Sequence, residues 1–369
     1  MKIIPAYQFP TSYNDIVQRL HAIEPKKYGR SRNFIDGALT YLSPYISRGI
    51  ISTKQVANYA LEQGHEPKQI EKFLQEFAWR DYWLQIWIAR GDEINKDLRN
   101  EQQPVNNHSF PKAVYEGQTG ITAIDQAIKE FYRSGYIHNH VRMYIAAIVC
   151  NMGFSHWKLP AQWMYYHLKD GDWASNALSW QWVSGANANK KYVANQSNIN
   201  KYMKNDQTGT FLDVPYEAFN NWSIPDQLQE TISLTLQTPL PETPKPNIEK
   251  TQPTFIYNWY NLDPLWGKGE HANRILLLEP SVFDAYPISQ QSVAFMLEVA
   301  KNIENLQVFT AEFSELQSMV GDGKIIYKEH PLNKAYKGEE HPREWISSIT
   351  GYHRSFFQFW KKVKKENQW

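Results

Sequence analysis

Five prolines, Pro239, Pro241, Pro244, Pro246 and Pro253, fall within fifteen residues of the segment TLQTPLPETPKPNIEKTQPT. Proline has a fixed φ and no N–H, so neither a helix interior nor a central strand can run through this stretch. It is expected to be an extended linker, residues 226–253. On either side of it the hydrophobic pattern differs. Residues 1–225 are rich in Trp and Tyr and read as helical. Residues 254–369 carry short apolar runs, RILLLEP (274–280), LQVFTAEF (306–313) and KIIYKE (324–329), with a helical stretch at 289–303. This β-α-β order followed by a further strand predicts a small parallel, Rossmann-like α/β unit, ending in a basic tail, KKVKK. Val293, Met296, Leu297 and Ala300 form the helix face that must be buried on those strands. The expected fold class is mainly α, with this parallel-sheet unit at the C-terminal end.

Composition narrows the function. With 39 Lys+Arg against 38 Asp+Glu the net charge is +1, which argues against a chain basic throughout but leaves room for a local basic face. The hydrophobic content of 42%, with 14 Trp, 22 Tyr and 17 Phe, rules out global disorder. A single cysteine, Cys150, excludes an intramolecular disulfide, a Cys₄ zinc site and a cysteine-ligated iron–sulfur cluster. No apolar run reaches membrane-spanning length, and the opening MKIIPAYQFPTSYNDI lacks the apolar core of a secretory signal. A cytoplasmic monomer is expected.

Several segments place chemistry on helices. Ser52 caps TKQVANYALEQG, and the longest helical run is 68–91. On that run Glu76, Trp79, Arg80 and Trp83 share one face by i, i+3, i+4, i+7 spacing. The stripe is either a surface ion pair beside packed tryptophans or the wall of a polar cavity for a flat, charged ligand. His138 and Arg142, and Asn139 and Met143, are i, i+4 pairs. His138 and His140 point to different sides, which argues against a shared metal. In KDGDWASNALSWQWVSGANANKKY (169–192), Asp170 and Asp172 precede a helix bearing Asn176, Trp180 and Trp182. Such carboxylates suit the helix dipole, and equally the N–H groups of a flavin edge or a base. YGRSRNFIDGALTYLSPYISRG (28–49) offers hydroxyls around a helix start.

Taken in order, Tyr28 with LTYLSPYI (39–46), FLQEFAWRDYW (73–83), TGITAIDQAI (119–128), GYIHNHVRM (135–143) and DGDWASNALSWQW (170–182) resemble the flavin-binding helical domain of the DNA photolyase/cryptochrome family. The resemblance runs from about residue 25 to residue 220. It implies bound FAD and a carbon–carbon lyase that repairs pyrimidine dimers in damaged DNA, by electron transfer from excited FADH⁻ to a flipped-out cyclobutane dimer. The adjacent His138 and Asn139 favour the cyclobutane over the (6-4) lesion, since (6-4) enzymes typically have two histidines there. The alternatives are a cryptochrome-like blue-light receptor without repair, or a relic without flavin.

The resemblance also implies roles. Tyr28, Leu39, Thr40, Leu42 and Ser43 match the FAD-phosphate loop, with Leu39 where threonine is usual. Arg80 matches a cofactor-contacting arginine, Arg142 and Asp170 a pair beside the isoalloxazine, Asp172 a carboxylate at its edge, and Asn176 the residue facing N5. Glu76, Asn139 and Met143 match the catalytic pocket, and Trp79 and Trp182 the dimer-stacking faces. Trp180 and Trp157 match the inner and middle members of the electron-transfer chain, with Tyr115 as its terminus. Lys190, Lys191, His140 and Arg48 are the expected DNA contacts, although His140 stands where repair enzymes often have arginine. Residues 185–203 resemble the iron–sulfur photolyase branch, yet one cysteine cannot ligate the cluster. The resemblance begins near residue 25, so the family's N-terminal antenna domain is expected to be missing. Residues 254–330 resemble a shortened version of one, permuted to follow the helical domain; the alternative is an unrelated accessory domain, and any antenna chromophore is left open.

Overall fold

In the computed structural model, which describes residues 7–369, the main helices start and stop where the sequence supplies caps. Helix α1 (Thr53–Glu62) opens on a reciprocal box: the Ser52 hydroxyl accepts from the Gln55 N–H, and the Gln55 side chain accepts from the Ser52 N–H. Helix α2 is Glu71–Arg90. Helix α3 (Thr122–Ser134) stops at Gly135, whose φ of 70° is left-handed and suits glycine. Helix α4 (Asn139–Ala147) continues into a π-turn, Ile148–Met152. Helices α5 (Lys158–His167) and α6 (Trp173–Ser184) follow, the latter capped by Asp172. Helices α7 (Gln290–Ala300) and α8 (Phe356–Asn367) are capped by Ser289 and Ser355.

The described residues form two compact units from interleaved segments: 7–8, 26–39 and 90–236 make the first, and 9–25, 40–89 and 237–369 the second. In the first unit α6 packs against α4 and α5. Its core holds Trp157, Trp163, Trp173, Tyr144 and Tyr165, all fully buried.

The second unit contains a five-stranded, wholly parallel sheet: β1 (Thr254–Tyr257), β2 (Asn273–Leu278), β3 (Leu306–Thr310), β4 (Ile325–Lys328) and β5 (Glu339–His341). Its order is β3-β2-β1-β4-β5, with β1 and β2 buried along their whole length, as parallel central strands are. This is the doubly wound order, with its switch point between β1 and β4. The turn after β1 reads Asn258-Trp259-Tyr260-Asn261, without the glycines that bring backbone up to a dinucleotide. Met296 and Val299 of α7 are fully buried, as its apolar face requires.

Of the linker expected at 226–253, Asp226–Leu228 form a 3-10 turn and Thr231–Ile232 a short strand, while 233–249 have no regular structure and are tied to the sheet. The Thr243 hydroxyl accepts from the Thr310 N–H at 2.8 Å, the Thr310 hydroxyl donates to the Pro241 carbonyl at 2.7 Å, and Asn247 and Gln307 exchange two bonds.

Helix α2 gathers the rest of this unit. Asp81 is buried and accepts from the Thr53 hydroxyl at 2.9 Å and from the Ile346 N–H at 2.7 Å. The His353 carbonyl accepts from the Tyr82 hydroxyl, and the Gly351 N–H donates to Gln85. Helix α8 lies on α2, with Phe356 stacked on Trp79 at 3.7 Å and 9°, and with Trp360 and Lys364 both donating to Glu71.

Burial pushes the Asp81 carboxyl up to about 7, against the lowering effect of its hydrogen bonds and of Arg343 and Arg80. The folded state therefore holds a proton, between the ordinary carboxylate range and pH 7, that the unfolded chain releases. Stability should fall as pH rises through that window, by up to ~1.4 kcal/mol per pH unit from this group, and level off above it. Asp81→Asn should remove about 2 kcal/mol of the stability difference between mildly acidic and mildly alkaline buffer, measured by urea denaturation. An unchanged difference would assign the pH dependence elsewhere.

Candidate functional site

The first unit brings four predicted residues into a short stretch of structure. Arg142 on α4 donates from Nη2 to both Asp170 oxygens, at 3.0 and 2.8 Å, and from Nε to the Ile137 carbonyl at 2.9 Å. The Asp170 side chain is only 2% exposed, so its charge relies on this partner. Two residues on, Asp172 accepts from the Ser175 N–H at 3.0 Å and starts α6. One turn into α6, Asn176 donates from Nδ2 to the Ala161 carbonyl at 2.7 Å. Its amide is thereby oriented, and its Oδ1 has no hydrogen-bond partner among the described residues. A fixed acceptor oxygen, a buried Arg–Asp pair and a helix-capping carboxylate suit a flat heterocycle that presents N–H and carbonyl edges. The donor set thus fits a flavin ring.

The second unit carries the other group. Thr40 is half-buried, and its hydroxyl accepts from the Leu42 N–H at 3.3 Å. Leu42 is wholly buried, so it has only backbone to offer a ligand; Ser43 is half-buried, and so is Leu39, which belongs to the first unit. Tyr28, in the first unit, is half-buried on Pro25–Ser31. Arg80 donates to the Ser47 hydroxyl at 2.6 Å. Glu76, Trp79, Arg80 and Trp83 form a half-buried stripe on a helix whose other positions from Phe73 to Trp87 are buried. Trp79 does not keep both ring faces open: Phe356 lies flat on one of them.

Two of the expected DNA contacts are corrected. Arg48 is wholly buried, with its guanidinium 3.2 Å from the Trp259 ring centroid, so a cation–π contact takes the place of water and no phosphate reaches it. His140 is buried; its two ring nitrogens face the Asn33 carbonyl at 3.1 Å and the Tyr192 hydroxyl at 3.3 Å, its ring stacks on Tyr144, and burial lowers its pKa. It is an interior histidine. Lys190 and Lys191 are exposed. Asn139 is exposed and Met143 half-buried; Trp182 is 39% exposed although Trp180, two residues before it, is buried.

Of the aromatic path, Trp157 is fully buried and its indole N–H donates to Asp97 at 2.6 Å. Tyr115 neighbours Phe110 and Tyr132, and among the described residues no close ring contact joins it to Trp157. Asp97 and Phe356 were missed in the sequence. Each meets its tryptophan across a long chain separation, and no spacing rule links them.

Residues 73–217 match the model for the FAD-binding domain of DNA photolyase. This segment belongs to that family. The photolyase-type segment holds every candidate from Glu76 to Lys191, whereas Tyr28, Leu39, Thr40, Leu42, Ser43 and Arg48 precede it. The chain is similar to the deoxyribodipyrimidine photo-lyase of Streptomyces griseus, 30% identical over 40% of this chain and 32% of that protein. It is also similar to that of Thermus thermophilus, 31% over 43% and 38%, and to that of Alkalihalophilus pseudofirmus, 25% over 57% and 45%. These matches thus span less than half the length of each relative. A Synechocystis cryptochrome structure aligns with 55% of this chain and 45% of its own at 21% identity, TM-score 0.47.

The Arg142–Asp170 pair gives a stability test. Asp170→Ala leaves a mostly buried guanidinium without its carboxylate and should cost about 3 kcal/mol in chemical denaturation. A loss below about 1 kcal/mol would mean that water or another acceptor replaces Asp170.

Proposed function

We propose that this chain binds FAD and uses light to repair pyrimidine dimers in DNA. The observation that carries the reading is the oriented Asn176 amide, one turn into the helix that follows the Arg142-paired Asp170, within a segment that matches the photolyase FAD-binding model. The name shared by the curated relatives, deoxyribodipyrimidine photo-lyase, supports the choice of substrate. Arg142, Asp170, Asp172 and Asn176, all in the first unit, would hold the ring. Reduced FAD, when bound and excited, supplies the electron that opens the cyclobutane ring.

This chain's own residues do the rest. A damaged base pair unstacks cheaply, so the dimer can leave the duplex. The exposed face of Trp182 would stack on it, a contact worth ~1–3 kcal/mol. Glu76 would hydrogen-bond the dimer and hand it a proton, and Asn139 and Met143 are further candidate contacts to it. Trp180, refilled from Trp157, would supply the oxidised cofactor with electrons one at a time. Lys190 and Lys191 are the phosphate contacts that remain after the corrections above. Flavin-based light reception without repair is the second reading. The observation on its side is Phe356 on Trp79, which occupies one face that a base could use.

The deciding experiment illuminates the purified chain with an oligonucleotide that contains one cyclobutane dimer, after heat-released cofactor has been identified by chromatography. Light-dependent loss of the dimer is expected. Bound FAD with persistent dimers would favour reception, and a chain that takes up no FAD would overturn both readings. Trp182→Ala should weaken binding to the damaged strand by roughly 5- to 150-fold, the equivalent of one stacked base. Glu76→Ala should lower repair yield and leave that affinity nearly unchanged.

A further inference from the structure

The indole of Trp157 is sealed from solvent, and its N–H meets a carboxylate. Nε1 donates to Asp97 Oδ1 at 2.6 Å, and the same oxygen lies 3.2 Å from His156 Nε2. The other Asp97 oxygen accepts from the Gln102 N–H at 2.8 Å, while Gln102 Oε1 accepts from the Trp157 backbone N–H at 2.9 Å. Gln102 Nε2 is tied in turn to the Ser155 carbonyl at 2.9 Å. Gln102 therefore grips both partners and fixes the carboxylate against the indole. The Asp97 and His156 side chains are 20% and 17% exposed, and His156 stacks at 4.8 Å on His108, which is exposed. A row of proton-carrying groups thus leads from the buried indole to water.

A buried indole N–H needs an acceptor, and a neutral carbonyl would satisfy it. A carboxylate does more, because it is a base. We propose that Asp97 is the proton acceptor that traps Trp157 after Trp157 has given up an electron. The proposal rests on the electron path in the proposed function. There Trp180 would pass an electron to the light-excited flavin and take one from Trp157. The Trp157 radical cation has an acidic N–H. That N–H bond breaks, the proton forms an O–H bond on Asp97, and a neutral indolyl radical remains. The charge balance is local: carboxylate and radical cation become carboxylic acid and neutral radical. The backward electron step is then blocked until the proton returns. An external thiol reductant restores the electron, and Asp97 or water the proton. Tyr115 is not needed as a terminus.

The test follows the indole radical by transient absorption after a laser flash on the flavin-loaded full chain, since neutral and cationic indole radicals absorb differently. The parent should form the neutral radical, more slowly in deuterated water. Asp97→Asn keeps the acceptor oxygen but loses the base; the cation should persist, and deprotonation should slow roughly 100-fold, as expected on losing a positioned base. Asp97→Glu should restore the neutral radical and serves as the second variant if the asparagine form does not fold. Deprotonation in Asp97→Asn at the parent rate would overturn the proposal. A flash signal unaltered by Trp157→Phe would instead remove Trp157 from the electron path, a failure of the underlying reading. The hydrogen bond has its own readout, independent of flavin. The ¹⁵N-edited NMR spectrum should contain a downfield indole N–H signal that disappears in Trp157→Phe and moves upfield in Asp97→Asn; lack of that signal in the parent would also overturn the proposal.

Discussion

A twenty-residue helix that is apolar around most of its circumference cannot rest on a surface, and α2 is such a helix. Phe73, Leu74, Phe77, Tyr82, Leu84, Ile86 and Trp87 all need cover, and they point in several directions. The cover comes from separate parts of the second unit. Trp87 is enclosed by Tyr260 and His330, from the turns that follow β1 and β4. Tyr82 is covered by Phe356 and Phe359 of α8, and Asp81 ties in α1 and the backbone at Ile346. The stripe Glu76-Trp79-Arg80-Trp83 is what this enclosure leaves half-open. The candidate ligand wall is thus defined by the packing of its neighbours as much as by its own residues.

How much could be read from the sequence depended on the range of the interaction. Caps and stops act within a few residues, so Ser52, Asp172 and Gly135 are legible. The parallel sheet is legible too, because its central strands are buried on both faces and carry the apolar runs 255–257 and 275–278. β5 is not: Glu339-Glu340-His341 is short, charged and on an edge, where burial leaves no pattern. Long-range pairs are equally silent. Arg48 reads as a surface cation until Trp259, more than two hundred residues later, closes over it. His140 reads as a phosphate contact until the Asn33 carbonyl and the Tyr192 hydroxyl claim its ring nitrogens.

The candidate flavin residues divide in the same way. Arg142 and Asp170 stand out as types, but only the structure shows that the guanidinium is shared between that carboxylate and the Ile137 carbonyl. Asn176 is one asparagine among many. The bond to Ala161 fixes which end of its amide is the acceptor, and thereby the kind of edge it can face. In the aromatic path, tryptophans are conspicuous in a sequence, whereas the groups that set their electronic fate are common ones such as Asp97.

The strap of prolines along β3 has a further consequence. A sheet with an open edge invites a strand from another molecule, and natural sheets cover or blunt such edges. Here the strap contacts β3 through Thr243, Pro241 and Asn247, and its prolines have no N–H to pass a ladder onward. It therefore ends the sheet without extending it. The opposite edge, β5, is three residues long and bears two glutamates. With neither border able to template a partner strand, the second unit is guarded against edge-to-edge aggregation, and cleavage within the strap would lift that guard on one side.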